Sequence, residues 1–423
     1  MQRVILHIDF DSYFASCEQQ FDSNLRGKPI GVTAANGRTC IIAASKEAKA
    51  LGIKSPTRTW EARQICPTLI TIPAHFEKYW EITQKFLDIC KDYSPYVELF
   101  SLDEVFIDIS STENLFGGRL EIVRKIKQRI SKEIGDYITV SVGLSYNKLL
   151  AKLGSGLDKP NGLVEINPLD VEKIYSRAKL TDFCGIGERV KVRLNKIGIY
   201  TPLALRAASL DSLISEFKDV EGHFLKELGL AQDYREVTPY YLPSETKSVG
   251  RNYCLPKNEY DQRAILQNVY ELCEEVGIKL RRINRKARTI GLYLSGTNSF
   301  HGRKTISGYI DKGSDIFSLC KILYDQWDLA GLPREEGMVR QIGVWAGNLE
   351  DSSNLTLSLF DLTNKSSKIQ KVMDEINERF GDHTIRNGFV WNSPNLKTVP
   401  NGYMADKFER QKLVEKFTDY IQP

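Results

Sequence analysis

The chain has eight cysteines but no C-x-x-C pair. Structural zinc sites and disulfide scaffolds need thiols at set spacings, so neither is indicated, and the pattern suits a reducing cytosol. No apolar run is long enough to cross a membrane. The start, Met1-Gln2-Arg3-Val4-Ile5-Leu6-His7-Ile8-Asp9, has a short apolar run broken by an acid and no cleavage-like site. It reads as a first strand and not as a signal peptide. Net charge is small, +4 over 423 residues, so only its distribution is informative. The length allows roughly two to four domains, and 42% apolar with 26% charged residues is ordinary for a globular protein.

Charge is concentrated in two places. From Lys279 to Arg288 the chain carries Lys279, Arg281, Arg282, Arg285, Lys286 and Arg288 with no acid. A polyanion contact and a solvated helix face both account for such a stretch. The acidic counterpart is Phe100-Ser101-Leu102-Asp103-Glu104-Val105, running on as Phe106-Ile107-Asp108-Ile109. Successive side chains of a strand point to opposite faces. Asp103 and Glu104 therefore reach one site only at a turn. A plain polar turn and a divalent-cation site both fit, since hard cations prefer carboxylate oxygen.

A third carboxylate is available at the first strand. Val4 to Ile8 ends in Asp9-Phe10-Asp11, and a helix opens at Ser12, a candidate N-cap. Acids at a strand end can hold a cation while the free amides of a helix start hold an anion. Lys46 and Lys49 lie three apart on a short helix, near its start, and suit a triphosphate or simply water. Residues 21–75 read as a small β/α subdomain. The order of strand, helix, hairpin, helix and strand across 1–20 and 76–165 predicts a split β-α-β, ferredoxin-like sheet that brings Asp9 and the 103–104 turn to the same end. Gly185-Ile186-Gly187, between two helical segments of 166–240, predicts a helix-hairpin-helix whose glycine amides can approach a nucleic-acid phosphate. A plain helix-ending turn is the alternative. Pro239 to Thr246 reads as a linker, and 241–348 as a further α/β unit with the basic stretch.

The chemistry that follows is Asp9, Asp103 and Glu104 around two divalent metals, of which Mg²⁺ suits a few carboxylates plus substrate phosphates. Lys46, Lys49 and Lys159 are triphosphate candidates. Phe14, five residues past Asp9, could lie under an incoming sugar and exclude a 2′-hydroxyl, or simply pack in the core.

Asp9-Phe10-Asp11 with Tyr13-Phe14-Ala15, Ser101-Leu102-Asp103-Glu104, Lys148-Leu149-Leu150-Ala151-Lys152 and Asp158-Lys159-Pro160-Asn161-Gly162 resemble the Y-family translesion DNA polymerases. The likeness runs from residue 1 to about 350. Asn36 to Gly52 is closest to the UmuC-type branch, and Asp158 to Gly162 to the DinB-type branch. The resemblance implies an α/β (α+β), multidomain right-hand polymerase: ferredoxin-like palm, small fingers (21–75), helix-hairpin-helix thumb (166–240) and α/β little finger (241–348), with a C-terminal tail at 349–423. It implies error-prone, template-directed synthesis with two Mg²⁺ (Mn²⁺ as a substitute) and no proofreading. Asp9, Asp103, Glu104 and the Phe10 carbonyl become metal ligands, Phe14 a steric gate, and Tyr13, Lys46, Lys49 and Lys159 nucleotide contacts. Gly185, Gly187, Lys247, Arg251, Arg282, Arg285 and Arg288 become DNA contacts. Many members have Tyr and Arg where Lys46 and Lys49 stand, so the bidentate fork of arginine is missing here. Leu102 replaces an isoleucine.

Thr356-Leu357-Ser358-Leu359-Phe360 resembles the Q-L-S-L-F peptide that binds bacterial sliding clamps, with Leu357, Leu359 and Phe360 as contacts and threonine in place of glutamine. Primer-template DNA, dNTPs, a clamp and accessory SOS proteins are the implied partners, without a membrane, in a bacterial-type cytoplasm and on the nucleoid. Two rival classes are weaker. A haloacid-dehalogenase-type phosphatase also begins with a strand ending in D-x-D, but needs Thr or Val where Tyr13 stands. A non-catalytic DNA-binding relative would not require all three carboxylates.

Overall fold

A computed structural model describes residues 3–34, 40–242, 245–328, 337–355, 363–381 and 384–391. Two compact units result, one containing Cys40–Pro243 with the N-terminal segment and the other Ser244–Val399. The clamp-like peptide with Leu357, Leu359 and Phe360 lies outside the described residues, as does the charged stretch at 406–420.

The first unit opens with strand β1 (Ile5–Phe10) and helix α1 (Tyr13–Phe21). A small subdomain follows: β2 (Ile30–Thr33), β3 (Cys40–Ala44), α2 (Lys46–Ala50), β4 (Thr57–Arg58), α3 (Thr59–Ile65) and β5 (Ile70–Pro73). Then come α4 (Phe76–Lys91), β6 (Val97–Leu99), β7 (Glu104–Asp108), α5 (Arg119–Arg129), β8 (Val140–Ser145), α6 (Lys148–Leu157) and β9 (Leu163–Ile166). The main sheet has the order β6-β7-β1-β8-β9, with β1 antiparallel to both β7 and β8. Its first four strands have the split β-α-β topology expected from the element order. The helix expected over 120–134 ends at Arg129 and continues as a π turn, Ile130–Ile134.

Side-chain alternation fixes the core. Leu6, Ile8 and Phe10 of β1 pack with Phe86 of α4 and Ile122 of α5. Ile5 turns the other way and packs with Phe106 and with Ala151 of α6. Gly143 of β8 lets α6 settle: a Cβ there would fall 1.8 Å from the Ala151 carbonyl oxygen.

Helices α7 (Val171–Tyr175), α8 (Glu188–Lys196), α9 (Pro202–Ala207) and α10 (Leu210–Gly229) complete this unit. The segment before Gly185 is one 3₁₀ turn, Leu180–Asp182, and not a full helix. Gly185 has φ 105° and lies against the Phe224 ring, and Gly187 caps α8.

The second unit contains β10 (Ser248–Glu259), α11 (Gln262–Arg282), β11 (Arg285–Gly296), β12 (Phe300–Ile310), α12 (Gly313–Asp328), β13 (Val339–Asp351) and α13 (Thr363–Phe380). Its antiparallel sheet has the order β10-β13-β11-β12 with α11 and α12 packed on it. The described residues beyond 349 join the second unit. The last strand reaches Asp351, Asp374 of α13 is ion-paired to Arg281, and the Phe389 carbonyl accepts from Gln267.

Candidate active site

In β1 the odd residues Ile5, His7 and Asp9 share a face. Across the antiparallel pairing Asp9 meets Glu104 and His7 meets Phe106, so all four functional positions look toward α6. That helix lays Lys148, Lys152 and Ser155 on the same side, each about one turn from the next. Lys152 pairs with Glu104. Lys148 Nζ lies 2.6 Å from Glu98 Oε2. His7 is fully buried, with Nδ1 2.7 Å from Ser155 Oγ and Nε2 2.9 Å from Glu104 Oε2. Asp103 sits in the turn just before β7. Its carbonyl accepts from the Phe10 amide at 2.9 Å, and its carboxylate accepts from the Ser101 hydroxyl.

Burial sets the electrostatics. It pushes Asp9 up to about 7, with the Lys159 ammonium offsetting part of the rise and the Asp103 and Glu104 charges adding to it. Burial also raises Asp103. Burial acts to raise Glu104 as well, but the close contacts of His7 and Lys152 outweigh it and bring that carboxyl down to about 2. The His7 imidazole, desolvated, is lowered to about 4.

An anion-seeking side adjoins these acids. Ser12 precedes α1 in the left-handed region (φ 54°) and does not cap it through its side chain. Its hydroxyl instead accepts from Lys49 Nζ at 2.8 Å. Lys159 pairs with Asp9. Lys49 is lowered first by burial and next by the Lys159 charge, so the two ammoniums are neighbours at the α1 start. Asp11 is turned away from them. Its carboxylate accepts from the Thr139 and Ser141 hydroxyls and the Asn161 amide, which holds the loop carrying Lys159.

The structure thus gathers Asp9, Asp103, Glu104, Lys49 and Lys159. Lys46 diverges from Lys49, its ammonium standing 4.6 Å over the Tyr137 ring. Phe14 is only half-buried and stacks on Tyr79 at 4.6 Å, with Phe76 edge-on at 5.7 Å. Tyr13, expected at the nucleotide, turns its side chain into the core. Its ring is buried against Phe10, and its hydroxyl donates to the Tyr79 carbonyl at 2.6 Å. Arg251, expected on DNA, also has its side chain buried. It occupies the helix-covered row with Val344 and Leu292, is 5% exposed, and has Nε 2.6 Å from Glu275 Oε2. Lys247 and Arg282 are exposed. Arg285 has Glu245 and Asp351 within 3.9 Å, and Arg288 donates to the Ile306 carbonyl. Sequence reasoning gave no role to His7, Lys152 or Ser155. Their only local signals are the two-residue step from His7 to Asp9 and the helical spacing of Lys148, Lys152 and Ser155.

The donor set tests well against a divalent cation. The oxygens are hard carboxylate donors, and His7, Asp9 and Glu104 place their ligand atoms within 4.8 Å of one another. Two of the three acids resist ionisation because they are buried, a cost that a bound cation removes.

Carboxylates over one end of a split β-α-β sheet, beside ammoniums at a helix start, equip a chain for metal-dependent nucleotidyl transfer. Residues 8–156 match the impB/mucB/samB family and residues 246–359 the C-terminal domain of that family. The DNA polymerase IV of Moorella thermoacetica is 33% identical over 90% of this chain and 94% of its own length. DNA polymerase IV 1 of Bacillus subtilis is 28% identical over 97% and 98%. A solved Y-family DNA polymerase chimera superposes with a TM-score of 0.69 at 25% identity, covering 82% of this chain and 99% of that one. The chain belongs to this family: it is a Y-family, DinB-like DNA polymerase, a nucleotidyltransferase of translesion DNA synthesis. No helix among the described residues is long and apolar enough to cross a membrane.

Proposed function

We propose that Asp9, Asp103 and Glu104, with the Phe10 carbonyl, hold two Mg²⁺ (Mn²⁺ as a substitute) for nucleotidyl transfer from a dNTP to a primer 3′-hydroxyl, without proofreading. The observation that carries this is the Asp9–Glu104 pairing across β1 and β7, with Asp103 in the adjoining turn. Bound there, the ions would acidify the primer hydroxyl and neutralise triphosphate charge. Lys49 and Lys159, now spent on Ser12 and Asp9, are free to turn to the triphosphate. The α1 amides face the same anion, and Lys46 follows from the surface. Phe14 presents its open ring face to the sugar, and Tyr79 behind it prevents retreat. Glu104 accepts from Lys152 and so keeps its charge. Gly185 and Gly187 offer amides to a DNA phosphate, and Lys247, Arg282, Arg285 and Arg288 add cationic contacts. Residues 356–360 are the proposed sliding-clamp peptide. SOS accessory proteins and a cytoplasmic, nucleoid-associated setting complete the reading.

Primer extension tests the centre. Wild type should extend a primed template with dNTPs and Mg²⁺, and Asp103→Ala with Glu104→Ala should not. Extension by that double variant removes the assignment of the site.

A further inference from the structure

The imidazole between Glu104 and α6 has no task in the scheme above, yet its surroundings are specific. His7 is 0% exposed and packs on the Phe106 ring at 4.5 Å. A neutral imidazole has one N–H and one acceptor nitrogen. Nε2 stands 2.9 Å from Glu104 Oε2, a close polar contact that is not aligned as a hydrogen bond. Only a proton on Nε2 makes that contact attractive, because an ionised carboxylate can only accept. Nδ1 is hydrogen-bonded to the Ser155 hydroxyl at 2.7 Å. Ser155 Oγ also donates to the Lys152 carbonyl at 2.9 Å, which ties it to α6. Ser155 and Glu104 thus hold the imidazole from its two sides. The Lys152 contact falls on the same carboxylate oxygen, Oε2. Among the described residues no hydrogen bond reaches Oε1, which leaves that oxygen available to a ligand. The arrangement depends on α6 lying close to the sheet. His7 is paired with Gly143, and a Cβ at Gly143 would meet the Ser155 amide nitrogen at 2.5 Å.

We propose that His7, oriented by Ser155, is a positioning residue that fixes the Glu104 carboxylate so that Oε1 is presented to a divalent cation. It rests on the assignment of Glu104 as a metal ligand. Groups that orient a ligand in this way are worth about 10–100-fold in metal affinity or rate when removed.

The test uses the full chain and three variants. His7→Phe keeps the ring and removes both nitrogens, His7→Gln restores a donor near the Nε2 position, and Ser155→Ala removes only the orienting hydroxyl. Two readouts are taken: kcat and dNTP KM for single-nucleotide insertion, and Mn²⁺ affinity by electron paramagnetic resonance on the complex with a dideoxy-terminated primer–template and dNTP. His7→Phe should lower Mn²⁺ affinity and kcat by about 10–100-fold, with KM nearly unchanged. His7→Gln should recover most of both, and Ser155→Ala should fall between. A His7→Phe chain with wild-type Mn²⁺ affinity and kcat overturns the proposal. Equal losses in His7→Phe and His7→Gln also overturn it, because they point to core packing alone. If His7→Phe does not fold, Ser155→Ala decides, and wild-type values there overturn it. Glu104→Gln is the parallel control. Full extension by Glu104→Gln fails the underlying site assignment, whereas an inactive Glu104→Gln beside a normal His7→Phe fails only the positioning role.

Discussion

Lys279→Met should make the protein more stable at neutral pH, although it deletes a charge from the basic stretch. Lys279 lies on α11 and is 9% exposed, and its ammonium has no hydrogen-bond partner among the described residues. Burial first, and next the nearby Arg251 charge, lower it from 10.5 to about 8, with Glu275 offsetting only part. That drop corresponds to about 3 kcal/mol of strain on the charged form. The folded pKa is depressed, so the unfolded chain binds the proton more readily between about pH 8 and 10.5. The lysine's contribution to stability is complete above 10.5 and is lost as pH falls through 8. Methionine keeps the apolar stem and avoids the penalty. Urea unfolding of the full chain should show Lys279→Met ahead by up to about 3 kcal/mol at pH 7 with an unchanged m-value. The advantage should shrink by pH 10. A variant no more stable than wild type at pH 7, or with the same advantage at both pH values, refutes the reasoning.

Phe14→Ala should admit ribonucleotides, because the half-buried ring closes the space a 2′-hydroxyl would need; unchanged rNTP incorporation by the variant would remove the gate role. Arg251→Met should cost about 3–5 kcal/mol by breaking its ion pair with Glu275, while the salt dependence of DNA binding stays the same. Arg282→Gln should do the reverse, lowering the salt slope by about one with little change in unfolding; a steep loss of salt dependence in Arg251→Met would return that residue to the DNA surface. Leu359→Ala with Phe360→Ala should abolish stimulation by a sliding clamp and keep basal synthesis, and equal stimulation in both proteins would dispose of the clamp peptide.

Much of the site was legible because its chemistry sits where local periodicity breaks. Asp9 lies near the end of a strand, Asp103 occupies a turn, Glu104 opens the strand after it, and Lys159 stands in a short loop; such positions declare themselves in a few residues. The split β-α-β order was legible for the same reason, since the helix and strand periods change at each boundary. What the sequence could not decide is which side of an element another element covers. Tyr13 and Phe14 are adjacent, and only the packing of α4 buries one and leaves the other half-open. Arg251 looks like any cation on a strand until α11 settles on its face and supplies Glu275. The contact of His7 with Ser155 spans 148 residues. It exists only because Gly143 lets α6 approach β8 closely enough for a serine to reach a buried imidazole. By itself the sequence determined which residues carry charge and where the strands end. The tertiary structure decided which charges are buried and paired, because burial is a property of what packs on top of a residue and not of its neighbours in the chain.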